Sequence, residues 1–323
     1  MEPIQNREVP MEFWLGIDIG STTTEVAVSE IANPANPAES VDYLLKFPSS
    51  EPTQVKKSTD ELDTTIVFTK DSKKFSFGSD GLSIANRLVF KDWKLGAMGE
   101  KRHAENLIET CRLVQQCLGH QKFTPASLFR MLFEYILKTA TEHFRTQYGE
   151  SFGPIKAWLT YPSCGESIRV LLLQEAIAAG IDVRGAASES LSAACFVEGK
   201  TNLSLPDGAR LILPDGARLI LDFGGATVDA TVLYKNDDGQ LVQACATEGY
   251  RKGGQMVNER ARGWLQANFK DWKSLWDDDR WALRISPYFD RCKRAFDGHT
   301  THELYREDGD VEIPPFVPIF VTP

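Results

Sequence analysis

The chain opens with short apolar runs of period two. "FWLGIDIG" (residues 13–20) reads as a buried strand, and "TEVAVSE" (24–30) alternates as its hairpin partner. The turn-rich "NPANPAES" (33–40) follows, then short strands in "VDYLLKF" and "TTIVFT". The start is a β-meander and not a βαβ unit. Over residues 79–148 the pattern becomes helical. In "FTPASLFRMLFEYIL", Thr124 suits an N-cap and Pro125 the first helical position. Leu128, Met131, Leu132, Tyr135 and Ile136 then form one apolar stripe, which reads as core packing.

Further on, "IKAWLTYP" (155–162) is a strand stopped by a proline. "ESIRVLLLQEAIAAG" (166–180) is a helix with Gly180 as its C-cap, and "SESLSAACFVEG" (188–199) is a second, shorter helix. The octamer "LPDGARLI" occurs twice, at 205–212 and 213–220, too short a period for a solenoid. It reads as a local duplication lengthening a surface loop, where insertions cost little. "RLILDFGGATVDATVLY" (218–234) then repeats the layout of the opening: apolar strand, acid, glycine turn, hydroxyl, apolar strand. "LVQACATEGYRKGGQ" extends that meander, and helices are expected at 253–269 and 281–297. The prolines of the final "VEIPPFVPIFVTP" argue against a helix there.

Composition narrows the class. A chain of 323 residues has room for two domains or one large bilobal one. A net charge of −9 argues against a general nucleic-acid binder. No apolar run approaches the roughly 20 residues a membrane span needs, and "MEPIQNREVPMEF" has neither the basic nor the apolar region of a secretory signal. The cysteines, at 111, 117, 164, 195, 245 and 292, form no C-x-x-C pair. They read as buried free thiols in a reducing compartment, cytoplasmic or nuclear.

The two glycine turns carry the chemistry. The first holds Asp18, Gly20, Ser21, Thr22 and Thr23; the second holds Asp222, Gly224, Gly225, Thr227 and Asp229. A glycine hairpin tip can aim successive backbone N–H groups at one anion, and neighbouring hydroxyls add donors to phosphate oxygens. A carboxylate at the strand end would repel phosphate unless a cation lies between. Mg²⁺ with its water shell removes the conflict, because it takes carboxylates and phosphates together. Two such turns, far apart in sequence, predict a nucleotide held between two lobes. They match neither a G-x-x-x-x-G-K-[ST] loop nor a G-x-G-x-x-G fingerprint.

Paired turns of this kind resemble the phosphate motifs of the actin, sugar kinase and heat-shock-70 ATPase superfamily. "AWLTYPSCGESIRVLLLQEAIAAGIDVRGAASESLSAACFVEG", "TEGYRKGGQMVNERA" and "FDRCKRAF" are similar to segments of the heat-shock-70 chaperones, in the same order, so that the resemblance spans about residues 13–310. It implies an α/β fold: a bilobal actin-like ATPase with two ribonuclease-H-like lobes, mixed sheets flanked by helices. A tail over 1–12, lobe I over 13–200 and lobe II over 201–323 would follow, with lobe II incomplete. The cofactors implied are ATP or ADP with Mg²⁺. Asp18 and Asp222 would face the metal's water shell. Gly20, Ser21, Thr22 and Thr23 would hold phosphates from one lobe, and Gly224, Gly225 and Thr227 from the other. Asp229 would orient or deprotonate the attacking water, and Glu189 would stand beside the catalytic centre. Gly253 and Gly254 would line the cleft, and Asp290, Lys293 and Arg294 would grip the nucleoside. Pro162 and Arg169 match a pair that relays nucleotide state to a second domain. Implied partners are co-chaperones, a J-domain protein and a nucleotide exchange factor, with no client binding by this chain.

The chain departs from that family in four places. Ala226 stands where a third glycine is expected, and strains the turn if that position needs a positive φ. The catalytic lysine falls to Lys94 or Lys91 in "FKDWKLGAM", although a lysine on a solvated helix face is the plainer reading. Ser190 replaces a proline after Glu189. The closing segment of lobe II and the client-binding domain are absent from the sequence, which predicts exposed apolar surface and low stability. Three functions stay open: a slow ATPase, a small-molecule kinase of the same superfamily, or a degenerate nucleotide-binding regulatory module.

Overall fold

The computed structural model describes residues 11–32, 40–48, 58–78, 86–119, 122–162, 166–199, 217–250 and 252–268, together with Phe289 and Lys293. The expected boundary at 200/201, most of the duplicated octamers and the final segment lie outside these residues. The chain groups into two compact units, Met1–Arg251 and Lys252–Pro323.

In the first unit, β1 (Glu12–Ile19), β2 (Thr23–Ile31) and β3 (Val41–Leu44) form an antiparallel meander. The short β4 (Phe47–Pro48) and β5 (Ser58–Thr59) pair with each other, and β6 (Glu61–Asp63) pairs with β2 beside the first turn. A small sheet of β7 (Ile66–Thr69), β8 (Lys74–Phe77) and β9 (Arg87–Phe90) leads into three helices: α1 (Trp93–Ala97), α2 (Lys101–Leu118) and α3 (Pro125–Tyr148). Then β10 (Ile155–Tyr161), α4 (Glu166–Ala178), β11 (Asp182–Ser188) and α5 (Glu189–Gly199) follow. β10 returns beside β1 in parallel, and β11 adds in parallel to β10. The main sheet therefore runs β11-β10-β1-β2-β3, parallel on one side of β1 and antiparallel on the other.

Alternation in β1 drives Phe13, Leu15, Ile17 and Ile19 into the core. α3 covers them, with Phe144 at 4.3 Å from Phe13 between ring centroids. Its start is as the sequence predicts: Thr124 caps, Ser127 reciprocates and Pro125 sits at the first position. The buried stripe also takes in Phe129 and Phe133, while Met131 and Tyr135 lie at its rim. The far end of β2 is tied to α3 by a buried carboxylate. Glu30 accepts hydrogen bonds from Tyr43 and Tyr148 hydroxyls at 2.5 and 2.6 Å.

Two expectations are revised. The helical stretch from residue 79 contains a strand, β9, because "RLVF" finds an edge on β7. β11 was not expected at all, since "DVRGAAS" has almost no large apolar residue; it forms because β10 offers it a ladder.

A second sheet follows, of β12 (Arg218–Phe223), β13 (Val228–Lys235), β14 (Leu241–Gln243) and β15 (Glu248–Tyr250), all pairings antiparallel. One face turns Asp229, Thr231 and Leu233 inward, where α5 packs. Leu221 and Phe223 are exposed on the other face. Among the described cysteines, Cys111 is buried, and burial pushes its thiol up to about 12. Cys195 and Cys245 are exposed, against the expectation of buried thiols. Among the described residues no helix is long and apolar enough to cross a membrane. The second unit contributes α6 (Gly254–Asn268).

Candidate functional site

The β1–β2 and β12–β13 hairpins close in the same way. The Gly20 N–H donates to Thr23 O, and the Gly224 N–H donates to Thr227 O, each at 2.9 Å. Each glycine follows an acid by two residues, Asp18 in one hairpin and Asp222 in the other. A side chain at Gly20 would put its Cβ 2.5 Å from Thr23 O, so this closure requires glycine. The two tips meet: a Cβ on Gly225 would lie 2.7 Å from Thr22 Cγ2. Ala226 is buried at the second tip and has no positive φ. The condition for backbone strain there, a positive φ, is therefore not met.

Between the tips lies a cleft of about 620 Å³, its open mouth included. Asp18, Gly20, Ser21, Thr22, Thr23 and Glu25 line one wall, and Asp222, Gly224, Gly225, Ala226 and Thr227 the other; Glu189, Lys94, Leu95, Met98 and Pro162 complete it. Thr160, on β10, donates its hydroxyl to Asp18 Oδ1 at 2.8 Å and so holds that carboxylate. Thr227 donates to Asp229 Oδ2 at 2.9 Å. Asp229 is buried and pairs in register with Asp222 across the second hairpin.

Lys94 is not on a solvated face. Its side chain is 3% exposed, and its Nζ lies 3.1 Å from Glu189 Oε1. Lys91 is exposed, which leaves Lys94 as the lysine of the cleft. Local structure explains the placement. Asp92, just before α1, has φ 54°, a left-handed conformation that turns the chain sharply out of β9. Trp93 then enters the core, stacking edge-on against Phe129 with centroids 4.6 Å apart. Its indole N–H donates to Thr64 O at 2.7 Å, and the Thr64 N–H donates to Thr22 O at 2.8 Å. The first tip, Thr64 and the helix carrying Lys94 are thus hydrogen-bonded in series.

The electrostatics are one-sided. Among the described residues, Asp18, Glu25, Glu189 and Asp222 line the cleft against one cation, Lys94. Burial pushes the Glu189 carboxyl up, the Lys94 ammonium opposes this, and the Asp18 and Asp222 carboxylates add to it. Asp222 is also raised, by burial first and then by Asp229 and Asp18, against the pull of Lys94. Such a site favours a cation. Among the described residues no three acidic, histidine or cysteine groups converge closely enough to ligate a metal directly. The donor set suits a hydrated Mg²⁺ reached through water by Asp18 and Asp222.

Arg169 stacks its guanidinium over Tyr161, 5.6 Å from the ring centroid. Gly253, Gly254 and Lys293 belong to the second unit, where Lys293 Nζ donates to Gly254 O at 3.2 Å and to Asn258 Oδ1 at 2.9 Å. Asp290 and Arg294 lie outside the described residues. Sequence reasoning missed Glu25, Thr160 and Trp93. Glu25 faces Asp18 in register across the hairpin, a relation legible once the β1–β2 register is known. Thr160 and Trp93 act through parallel pairing and tertiary packing, which no local pattern signals.

No protein-family model matches the chain, and no curated protein matches it significantly.

Proposed function

We propose that this chain is a nucleotide-binding module of heat-shock-70-like type that holds Mg²⁺-ATP in the cleft and hydrolyses it slowly. The observation that carries the reading is the pair of matched hairpins. The same acid-glycine spacing and the same closing hydrogen bond occur twice, on two sheets, and both tips face one acidic cleft. The mixed sheet order is also what an actin-like lobe would need.

In this reading the backbone N–H groups and hydroxyls of Ser21, Thr22 and Thr23 bind phosphate oxygens from one side. The backbone N–H groups of Gly225 and Thr227 bind from the other, while the Gly224 N–H closes the turn onto Thr227 O. Mg²⁺, when bound, neutralises phosphate charge against Asp18 and Asp222. Lys94, held by Glu189, places its ammonium towards the transferring phosphoryl group. Asp229 orients Thr227 from behind the cleft wall. Phosphoryl transfer depends on positioning and charge, so these roles suffice for slow turnover. The implied cytoplasmic setting and the co-chaperone partners belong to the same proposal.

Calorimetric titration with ATP, with and without Mg²⁺, tests it on the chain and on Asp18→Ala. Mg²⁺-dependent binding lost in the variant is expected. Well-folded protein that binds no nucleotide would sink the reading. Phosphate release without an added acceptor separates hydrolysis from transfer to a small molecule.

A further inference from the structure

Ser190 and Thr231 are fully buried, and the Thr231 hydroxyl donates to Ser190 Oγ at 3.0 Å. Ser190 follows Glu189 at the start of α5. Thr231 lies two residues beyond Asp229 on β13 and so points to the same face of that strand. The bond joins the neighbour of one acid to the strand that carries another.

The direction of the next contact follows by counting hydrogens. A threonine hydroxyl has one to give, and Thr231 gives it to Ser190. The 2.7 Å contact between Thr231 and Thr247 hydroxyls is then donated by Thr247. Thr247 in turn accepts from Gln243 Nε2 at 3.1 Å, and the same amide nitrogen donates to Cys245 O at 2.7 Å. Each donor in the series has an acceptor, and successive bonds polarise one another in one sense. Valine would fill the volume of Thr231 without a polar atom to satisfy. Hydroxyls at this depth add direction, which apolar packing lacks.

We propose that Ser190 and Thr231 are a positioning pair that fixes Glu189 relative to the Asp222–Asp229 strands. The charges bearing on Glu189 are Lys94, Asp18 and Asp222, so drift of the α5 start changes its surroundings from three sides. The consequence for nucleotide rests on the function proposed above; the positional claim holds in the ligand-free chain.

The test follows the Glu189 carboxyl titration by carbon-13 NMR in the full ligand-free chain, its signal assigned with Glu189→Gln. Thermal unfolding is measured alongside. Thr231→Val is expected to lower the melting temperature and move the Glu189 midpoint by about 0.5 pH unit or more. Thr231→Ser, which keeps the hydroxyl, restores both. In Ser190→Ala/Thr231→Val part of the melting temperature returns, since no Ser190 hydroxyl is left without its donor although Thr247 still lacks its acceptor, but the midpoint stays displaced. A double variant that titrates like the parent overturns the proposal. If the parent chain binds no Mg²⁺-ATP, the proposed function fails while the titration still decides the role of the pair.

Discussion

Lys94 and Glu189, 95 positions apart, meet at 3.1 Å with the lysine almost wholly buried. Removing one partner of such a pair leaves the other charge without compensation, at a cost of about 3–5 kcal/mol when both are buried. Glu189 retains 19% exposure, so the lower end is expected here. Lys94→Met therefore lowers the melting temperature at pH 7. The loss shrinks on acidification, because Glu189, already raised by burial, takes up a proton. Lys94→Met/Glu189→Gln recovers most of the stability and none of the phosphate release. Thermal melts across pH, with a phosphate-release assay, check this.

Asp222 makes a prediction of opposite sign. Its folded-state carboxyl is raised above the ordinary value by burial, Asp229 and Asp18. A raised acid stabilises the fold below its unfolded value and loses that contribution as pH climbs through the folded value. At pH 7 the ionised group strains the ligand-free fold. Asp222→Asn is expected to raise the melting temperature by a few degrees at pH 7, with the gain fading towards pH 4. Mg²⁺-dependent ATP binding is lost in the same variant. A melting temperature that falls at pH 7 refutes this account of the cleft.

The contact between the tips sets a steric limit. Gly225→Ala places a methyl 2.7 Å from Thr22 Cγ2. The Thr22 side chain must turn or the hairpins must part, at about 1–3 kcal/mol of overpacking. Affinity for Mg²⁺-ATP should fall at least tenfold, as read by calorimetry, because both sets of phosphate donors shift. Gly119→Ala, where nothing lies within 4 Å, serves as a control for backbone strain alone at a positive φ of 83°.

Trp93 braces the first tip through Thr64. Trp93→Phe keeps aromatic packing on Phe129 but strips Thr64 O of its donor. An unpaired buried carbonyl costs about 1–3 kcal/mol. A several-fold weaker affinity for Mg²⁺-ATP should accompany the loss of stability. Unchanged affinity would show that the tip holds its shape unaided.

Much of this architecture was legible in the chain. The β1–β2 hairpin, the Thr124–Pro125 helix start, α4 and the second glycine turn all follow from local periodicity and turn chemistry. Gly180, at φ 89°, ends α4 as a left-handed residue should. What stayed hidden depends on distant partners. Lys94 looked like a surface lysine because a five-residue helix buries Trp93, Lys94, Leu95 and Gly96 together, leaving no polar stripe to read. β11 gains its ladder from β10, and Ser190 gains its purpose from Thr231, both beyond any local window.

The left-handed backbone at Asp92 has a use beyond this molecule. Glycine, asparagine and aspartate enter that region most readily, and here one indole both packs on Phe129 and reaches Thr64 O. A sequence that keeps this lysine in the same way is therefore constrained at the two positions before it: a small turn-forming residue, then tryptophan. That three-residue signature, joined to the paired acid-glycine hairpins, offers a search pattern for kin that overall similarity would pass over.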